Sequence, residues 1–184
     1  MTFCLKCGNK AALKIPEGDN RKRIVCDHCG YIHYQNPNII CGAVVVHEDK
    51  VLLCKRAIEP QYGLWTIPAG FMEIGETVEQ GAKRETLEEA EATATNLKLY
   101  CIYDIPIIGQ VYMLYLANLQ DGNFGAGSES LECQLFTEDE IPWDEMAFDS
   151  SIRSLRHYFA DRQTYSNFVD FPLHHETIST DFIK

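Results

Sequence analysis

The most constraining feature of the sequence is a cluster of three glutamates, Glu85, Glu88 and Glu89, near the middle of the chain. Their i, i+3 and i+4 spacing places the carboxylates on one face of a helix, close enough to repel each other. Such a cluster usually has a divalent cation to hold it together, and hard oxygen ligands favour Mg²⁺ or Mn²⁺. The glutamates therefore predict a metal site, with a solvated acidic helix face as the plainer alternative.

The residues around the cluster predict the helix that carries it. Thr77 and Gln80 fit the reciprocal capping pattern of a helix N-terminus, where Glu79 adds favourable negative charge. An apolar face is supplied by Val78, Ala82, Leu87 and Ala90. Because an exposed acidic helix has no use for the glycine-bearing loop at residues 65–70, the metal site is the favoured interpretation.

A longer pattern surrounds the glutamates. Gly70 is followed after five residues by Glu76, after a further seven by Arg84-Glu85, and after two more by Glu88-Glu89. This pattern resembles the signature of the Nudix hydrolases, enzymes that hydrolyse a nucleoside diphosphate linked to another moiety. The resemblance implies an α/β fold, namely an α/β/α sandwich around a mixed sheet.

Two positions depart from the family pattern. Glu91 stands where the family has a glycine, and Thr86 stands at a position that is usually hydrophobic. Neither position carries chemistry, but the missing glycine bears on how the helix ends.

The resemblance also assigns roles within the site. The catalytic set that it implies is Glu85, Glu88, Glu89, Arg84 and, as general base, Glu129. Glu85 and Glu89 are expected to be the principal ligands of Mg²⁺ or Mn²⁺, with Glu88 joining them. Arg84 is expected to orient this face through an ion pair with Glu76. The identity of the general base stays open. Many family members place it in a loop after the helix, which favours Glu129, but Glu129 is equally well explained as a solvated loop acid.

The candidates for substrate contact are two backbone positions, two cations and two aromatic rings: Ala69, Gly70, Lys55, Arg56, Tyr62 and Trp65. The first two are expected to lend backbone groups. The cations would hold phosphate groups, and Arg56 can bind two oxygens at once, unless both are exposed strand-end charges. The aromatic pair would stack on a base, although Trp65 is equally well explained as a core residue.

A second constellation lies at the N-terminus, in the motifs Cys4-Leu-Lys-Cys7 and Cys26-Asp-His-Cys29. Their separation is typical of a four-thiolate zinc site. Disulfides would need an oxidising compartment, and a redox Cys-x-x-Cys motif normally opens a helix, so both alternatives fit less well. Since four ligands leave no open position, the Zn²⁺ is expected to be structural. The other cysteines are expected to be small buried hydrophobes: Cys41, Cys54, Cys101 and Cys133.

Composition and chain ends limit the possible partners. The formal net charge of −11 argues against a nucleic-acid partner, because a phosphate backbone needs a basic surface. No apolar stretch approaches the roughly 20 residues that span a bilayer, so no membrane partner is expected. The first cysteine motif leaves no room for a signal peptide, which predicts a reduced, cytoplasmic protein.

The chain is expected to have three segments: a zinc ribbon at residues 1–34, a Nudix domain at residues 35–162 and a C-terminal tail at residues 163–184. Strands are predicted at residues 39–46, 51–54, 97–103, 111–119 and 131–136, the first two as a hairpin. A second amphipathic helix is predicted at residues 150–161. The tail is rich in aromatic residues and is expected to pack rather than to stay free.

The substrate is inferred from the resemblance alone. A zinc ribbon before a Nudix domain resembles the NADH pyrophosphatases, but their Ser-Gln-Pro-Trp-Pro-Phe-Pro array is missing here. The likeness is closer to a zinc-ribbon group that carries Ile-Pro-Trp-Asp-Glu and a later Phe, here at residues 141–148, and that includes plant plastid enzymes acting on FAD and ADP-ribose. We therefore expect Mg²⁺-dependent hydrolysis of ADP-ribose or FAD to AMP and the other phosphorylated half. The alternatives are NADH, a nucleoside triphosphate or a non-catalytic nucleotide sensor, and a homodimer is expected from the family only.

Overall fold

The computed structural model describes residues 2–179, and contacts divide the chain after Pro37 into two units. The first unit is an antiparallel sheet of four short strands: β1 (Thr2–Phe3), β2 (Lys10–Lys14), β3 (Arg23–Cys26) and β4 (Ile32–His33). Each cysteine motif is followed by a glycine with a left-handed backbone, Gly8 (φ 72°) and Gly30 (φ 70°), as a tight turn around a metal requires. Among residues 2–37 only Cys4 and Cys26 are buried, so this sheet depends on what its cysteines bind.

The second unit is built on a mixed sheet with two helices. Its strands are β5 (Asn38–His47), β6 (Lys50–Arg56), β7 (Trp65–Thr66), β8 (Ala69–Phe71), β9 (Ala94–Ile105), β10 (Gln110–Leu119), β11 (Ser130–Phe136) and β12 (His174–Thr177). The order across the sheet is β11-β6-β5-β10-β9-β12, with β7 beside β6 and β8 beside β5. The pairs β5–β10 and β9–β12 are parallel, and the others are antiparallel. The helices are α1 (Val78–Ala90) and α2 (Asp149–Asp161), and short 3-10 helices lie at Glu138–Glu140, Trp143–Glu145 and Phe168–Asp170.

The helices cover opposite faces of the sheet, which confirms the predicted α/β/α sandwich. Side chains alternate along β5, so Ala43 and Val45 pack in the same cluster as Ala90 of α1. Val44 and its neighbours on the other face pack with Leu155 of α2. Since both faces of β5 are covered, its sequence is a continuous apolar run rather than an alternating one.

The predicted hairpin is present but short. β5 and β6 pair only at Val46 with Val51 and at His47 with Lys50, beside a turn in which Glu48 adopts a positive φ. Farther from the turn, the partners of β5 and β6 on this side are β8 and β7, which the sequence did not indicate. This arrangement brings the chain from β7 to β8 against β5 and close to α1.

Close backbone approach fixes the β7–β8 segment in place. A Cβ atom on Gly42 of β5 would lie 2.3 Å from Cβ of Ala69 and 2.5 Å from the carbonyl oxygen of Pro68. Only glycine fits at that separation, which explains the glycine in the middle of the apolar strand β5.

Both ends of α1 follow from local sequence. The capping box is confirmed, because Gln80 N donates to Thr77 Oγ1 at 3.2 Å and Thr77 N donates to Gln80 Oε1 at 2.8 Å. At the other end, Glu91 caps the helix in the left-handed conformation with φ 47°, at the position where the family pattern has glycine. Glu91 therefore adopts a backbone conformation that suits the glycine of the family pattern and that costs a non-glycine residue about 1–2 kcal/mol.

The C-terminal part of the chain packs on its own sheet. α2 lies where the second helix was predicted, and the tail beyond it adds the parallel strand β12 beside β9. Phe171 and Ile178 of the tail are buried, and Lys98 Nζ donates to the carbonyl oxygens of Phe168 and Val169. Residues 180–184 of the predicted tail lie outside the described residues. No helix within residues 2–179 is long and apolar enough to cross a membrane.

The strained C-cap leads to a stability test. The Glu91→Gly substitution should raise Tm by about 2–4 °C, because it relieves ~1 kcal/mol of left-handed strain in a protein of this size. Glu91→Ala keeps a Cβ in the same conformation and should give no such gain. Thermal unfolding followed by circular dichroism distinguishes them, and an equal rise in both variants would contradict the strain argument.

Candidate active site

Helix α1 presents the three glutamates toward a cleft at one end of the sheet. Glu85 and Glu89 are 8% and 5% exposed, whereas Glu88 lies at the open rim. All three line a cleft of about 630 Å³. The predicted shared face of the helix is therefore present, and two of its carboxylates are withdrawn from water.

Arg84 holds this face together. Its guanidinium donates to both carboxylate oxygens of Glu76 at 3.0 and 2.8 Å, to Glu85 Oε1 at 2.7 Å and to Glu88 Oε2 at 2.8 Å. A further hydrogen bond reaches the carbonyl oxygen of Phe71 at 3.0 Å. The Arg84 guanidinium lowers the pKa of Glu76 to about 2. The structure thus places Arg84 and Glu76 in the orienting ion pair that the resemblance implied.

The β7–β8 segment closes over the buried carboxylates. Ala69 N donates to Glu89 Oε2 at 3.1 Å, and a Cβ atom on Gly70 would lie 2.4 Å from Glu85 Oε1. The glycine of the signature therefore makes room for a carboxylate. Both of the predicted backbone positions line the cleft.

The positive charge beside the two buried carboxylates does not offset the cost of burying them in ionised form. Burial raises the pKa of Glu89 from 4.5 to about 8, and repulsion from Glu85 adds to the effect against the Ala69 amide, which lowers the pKa. Burial also raises the pKa of Glu85, and the Arg84 guanidinium opposes that rise. A divalent cation beside these oxygens would stabilise their ionised form, and carboxylate oxygens are the ligands that Mg²⁺ or Mn²⁺ takes, so the residue types fit such an ion. Within residues 2–179, the side chains that already converge closely enough to share one ion are the four cysteines of the N-terminal unit, not these glutamates.

Glu129 is carried to the same cleft by a tightly held loop. Gly125 N donates to the carbonyl oxygen of Ala90 at 2.8 Å, and Gly127 N donates to that of Glu89 at 3.1 Å. A Cβ atom on Gly127 would lie 1.8 Å from the carbonyl oxygen of Glu88, so the loop can dock only through a glycine. Glu129 lines the cleft, and its charge contributes to the raised pKa of Glu85 and of Glu89.

Arg56 reaches the cleft from the end of β6. It is 8% exposed, its Nε donates to the carbonyl oxygen of Pro60 at 2.8 Å, and its guanidinium lies 5.1 Å from the ring centroid of Phe148. These contacts fix the plane of the guanidinium beside the carboxylates. Of the two predicted cations, only Arg56 lines the cleft.

The other candidates for substrate contact lie elsewhere. Lys55 points to the opposite side of β6 from Arg56, because side chains alternate along a strand, and its Nζ lies 5.5 Å from the Trp65 ring. Trp65 is buried in the core and packs edge-on against Phe136 at 5.0 Å. Tyr62 is exposed and does not appear among the described residues that line the cleft. The structure therefore does not bring these three side chains to the carboxylates.

The rest of the cleft lining is largely apolar and was missed by sequence reasoning. The apolar lining residues include Ile40, Phe71, Met72, Ile108, Tyr112, Leu114 and Phe148. Three of them, Ile40, Tyr112 and Leu114, come from strands β5 and β10, whose pairing cannot be read from local patterns. Phe148 had a visible signal, because it ends the segment at residues 141–148 that resembles a zinc-ribbon Nudix group.

The four N-terminal cysteines converge as a zinc site requires. Cys4 and Cys29 have their sulfur atoms 3.7 Å apart, Cys7 and Cys26 have theirs 3.6 Å apart, and all four lie within 4.8 Å of one another. A tetrahedral zinc with Zn–S bonds of about 2.3 Å separates its sulfur atoms by about 3.8 Å. The site fits Zn²⁺, and its closed set of four ligands indicates a structural role.

A carboxylate helix that faces a cleft, in a domain that follows a zinc ribbon in the sequence, is typical of an enzyme that acts on phosphorylated compounds with a divalent ion. Residues 37–158 match the family model described as NUDIX domain, and residues 2–35 match the zinc-ribbon model described as Nudix N-terminal. The chain belongs to the Nudix family, and the prediction of a Nudix hydrolase is confirmed.

The chain is also similar to three individual proteins. It is 31% identical over 144 residues to NAD-capped RNA hydrolase NudC of Haemophilus influenzae (strain PittGG), covering 75% of this chain and 52% of that protein. The match to NudC of Vibrio vulnificus (strain CMCP6) is also 31% identical, with 77% and 53% covered. The chain thus spans about half the length of these relatives. The crystal structure of a NUDIX hydrolase from Nitrosomonas europaea is 49% identical and has a TM-score of 0.90, covering 98% of this chain and 100% of that one.

These relatives correct one expectation. The exclusion of nucleic-acid partners is wrong, because it is contradicted by relatives named for their action on NAD-capped RNA. The physical reason is that the net charge averages over unequal parts. Residues 1–37 carry six Lys or Arg against three Asp or Glu, whereas residues 38–184 carry ten against 24. The overall acidity therefore does not describe the local surface that a phosphate backbone would meet.

The raised pKa of Glu89 predicts a pH dependence of the protein without magnesium. Between about pH 4.5 and pH 8 the folded state holds a proton that the unfolded state has released, so stability falls as pH rises through this window. Zinc-loaded protein in magnesium-free buffer should therefore lose Tm from about pH 6 to about pH 8.5 more steeply than its Glu89→Gln variant. Added Mg²⁺ should raise the wild-type Tm more at the higher pH, because the cation competes with the proton. Parallel Tm profiles of the two proteins would show that Glu89 is ionised throughout.

Proposed function

We propose that the protein hydrolyses the pyrophosphate bond of an ADP-linked nucleotide, ADP-ribose or FAD, to AMP and the phosphorylated other half. The observation that carries this proposal is a single cleft that is lined both by buried carboxylates with Arg56 and by apolar side chains. Its size, about 630 Å³, falls in the range of nucleotide and cofactor pockets. A diphosphate beside the carboxylates and Arg56 leaves the base or sugar against the apolar lining.

The charged side chains of the cleft fit the difficulty of the reaction. A pyrophosphate resists attack because its own negative charge repels a nucleophile, and a divalent ion on the phosphoryl oxygens neutralises that charge and acidifies a water. Glu85, Glu89 and the more exposed Glu88 are the residues that would hold such an ion. Arg84 keeps Glu85 and Glu88 oriented through its hydrogen bonds.

The remaining polar groups have separate tasks in this proposal. Arg56 binds phosphoryl oxygens with a guanidinium that Pro60 and Phe148 hold in one plane. Glu129 accepts the proton of the attacking water, since it lines the cleft and, unlike Glu85, Glu88 and Glu89, belongs to a loop rather than to α1. The backbone of the β7–β8 segment positions Glu89 through the Ala69 amide.

A second candidate substrate is an NAD-type dinucleotide, free or at the end of an RNA. The observation that favours it is the name of the relatives, NAD-capped RNA hydrolase NudC. NADH presents the same ADP-linked pyrophosphate as ADP-ribose, so the charged side chains of the cleft would act on it in the same way. Against it stands the missing Ser-Gln-Pro-Trp-Pro-Phe-Pro array.

A substrate panel with a carboxylate variant tests the proposal. Purified protein with Mg²⁺ should release AMP from ADP-ribose or FAD faster than from NADH, NAD-capped RNA or a nucleoside triphosphate, as measured by chromatography. Glu89→Gln should reduce kcat by at least about 10²-fold, because a ligand of the ion is lost. Glu91→Gln, just beyond the helix, is the matched control and should keep wild-type turnover. Hydrolysis of none of the compounds would favour a nucleotide sensor, and a fully active Glu89→Gln enzyme would contradict the metal assignment.

The proposed role of Arg56 has its own test. Arg56→Lys keeps the charge but loses the planar fork, so KM should rise about 10-fold or more while kcat changes less. Arg156, whose guanidinium lies 5.6 Å from the Trp143 ring and which does not line the cleft, provides the control Arg156→Lys. Steady-state kinetics with the best substrate of the panel should separate the two variants. Equal KM values for both would remove Arg56 from the phosphate site.

A further inference from the structure

Two cysteines outside the zinc site face each other beneath the catalytic helix. Cys54 on β6 and Cys133 on β11 are direct partners in the antiparallel pairing, and their sulfur atoms are 3.4 Å apart. The sequence explained both as small buried hydrophobes, which accounts for Cys54 but not for a facing pair. Directly opposite residues of antiparallel strands have Cα atoms about 4.5–5.5 Å apart, inside the range of roughly 4.4–6.8 Å that a disulfide spans.

The two cysteines differ in their exposure to solvent, which sets the order in which they would react with a reagent. Cys54 is 1% exposed, whereas Cys133 is only partly buried. A small reagent can therefore meet Cys133 before it meets Cys54, which is buried. This is the usual arrangement of an attacking thiol and a resolving thiol.

The pair also contacts the catalytic helix. Cys133 Sγ donates to the carbonyl oxygen of Glu89 at 3.4 Å, the same oxygen that accepts from Gly127 N of the Glu129 loop. Cys54 lies two residues before Arg56 on β6. A change in the distance between these sulfur atoms would therefore alter the contacts where α1, β6 and the Glu129 loop meet.

We propose that Cys54 and Cys133 form a reversible oxidation site for small-molecule disulfides, and that its oxidation weakens the catalytic site. The sulfur of Cys133 attacks one sulfur of the reagent, and a mixed disulfide forms as the first reagent thiol leaves. The sulfur of Cys54 then attacks Cys133, and the second reagent thiol leaves. Two protein thiols lose two electrons in total, the reagent disulfide gains them, and the two protons pass to the released thiols.

Oxidation has a structural consequence at Glu89. A disulfide bond brings the two sulfur atoms to about 2.05 Å, so they must approach by more than 1 Å. Cys133 thereby loses its S–H donor and moves relative to the Glu89 carbonyl oxygen. This second half of the proposal rests on the proposed function, in which Glu89 helps to hold the catalytic ion.

The first experiment tests the oxidation site without using activity. Zinc-loaded full-length protein is incubated with bis(2-hydroxyethyl) disulfide, alkylated, and digested with trypsin and Glu-C, which separates Cys133 from Cys101 by cleavage after Glu132. Mass spectrometry should find residues 51–55 joined to residues 133–138, and dithiothreitol should separate them. Cys101→Ala should give the same cross-link. A mixed disulfide that stops at Cys133, or cross-links only among Cys4, Cys7, Cys26 and Cys29, would overturn the proposal.

The second experiment tests the link to the site. The Mg²⁺ concentration for half-maximal turnover should rise at least about 5-fold in the oxidised protein and return to its starting value after reduction. Cys133→Ala, which cannot form the bond, should show no change on the same treatment. If the cross-link forms but the Mg²⁺ requirement is unchanged, the oxidation does not reach the site. If the protein hydrolyses no compound at all, the proposed function fails while the peptide map still decides the oxidation site.

Discussion

The burial of two carboxylates on one helix face is the interaction around which the cleft is organised. Glu85 and Glu89 are withdrawn from water with too little positive charge beside them, as the raised pKa of Glu89, about 8, indicates. That arrangement costs stability in the absence of a cation, because burial penalises an ionised carboxylate. It persists because the surrounding backbone packs closely at three glycines, Gly42, Gly70 and Gly127. At each of them an added Cβ atom would overlap a neighbouring residue.

Local spacing predicted the helix and its acidic face, whereas the composition of the cleft depends on long-range pairing. The capping residues Thr77 and Gln80 and the glutamate spacing act within a few turns of helix, so sequence alone was sufficient for them. Tyr112 and Phe148 reach the cleft through β10 and the start of α2, which no local pattern connects to α1. Trp65 could not be assigned in advance, because a core and a stacking tryptophan have the same local sequence.

The zinc ribbon and the Nudix unit are stabilised in different ways. In the first, only Cys4 and Cys26 are buried, so the fold relies on a metal rather than on apolar area. In the second, a large core on both faces of β5 supports a charged cleft and a left-handed residue, Glu91. The net charge of the chain is set by the acidic Nudix unit and does not describe the zinc ribbon, which is why it failed as a guide to partners.

The central claim, that the α1 carboxylates hold a divalent ion against a diphosphate, is tested most directly by crystallography with Mn²⁺. Crystals grown with Mn²⁺ and a non-hydrolysable ADP-ribose analogue would be measured at the manganese absorption edge. The anomalous map should show manganese at about 2.2 Å from carboxylate oxygens of Glu85 and Glu89, with the analogue's phosphates on the same ion. Manganese found only elsewhere on the protein, with the analogue bound and these carboxylates still held by Arg84 and Ala69, would contradict the account.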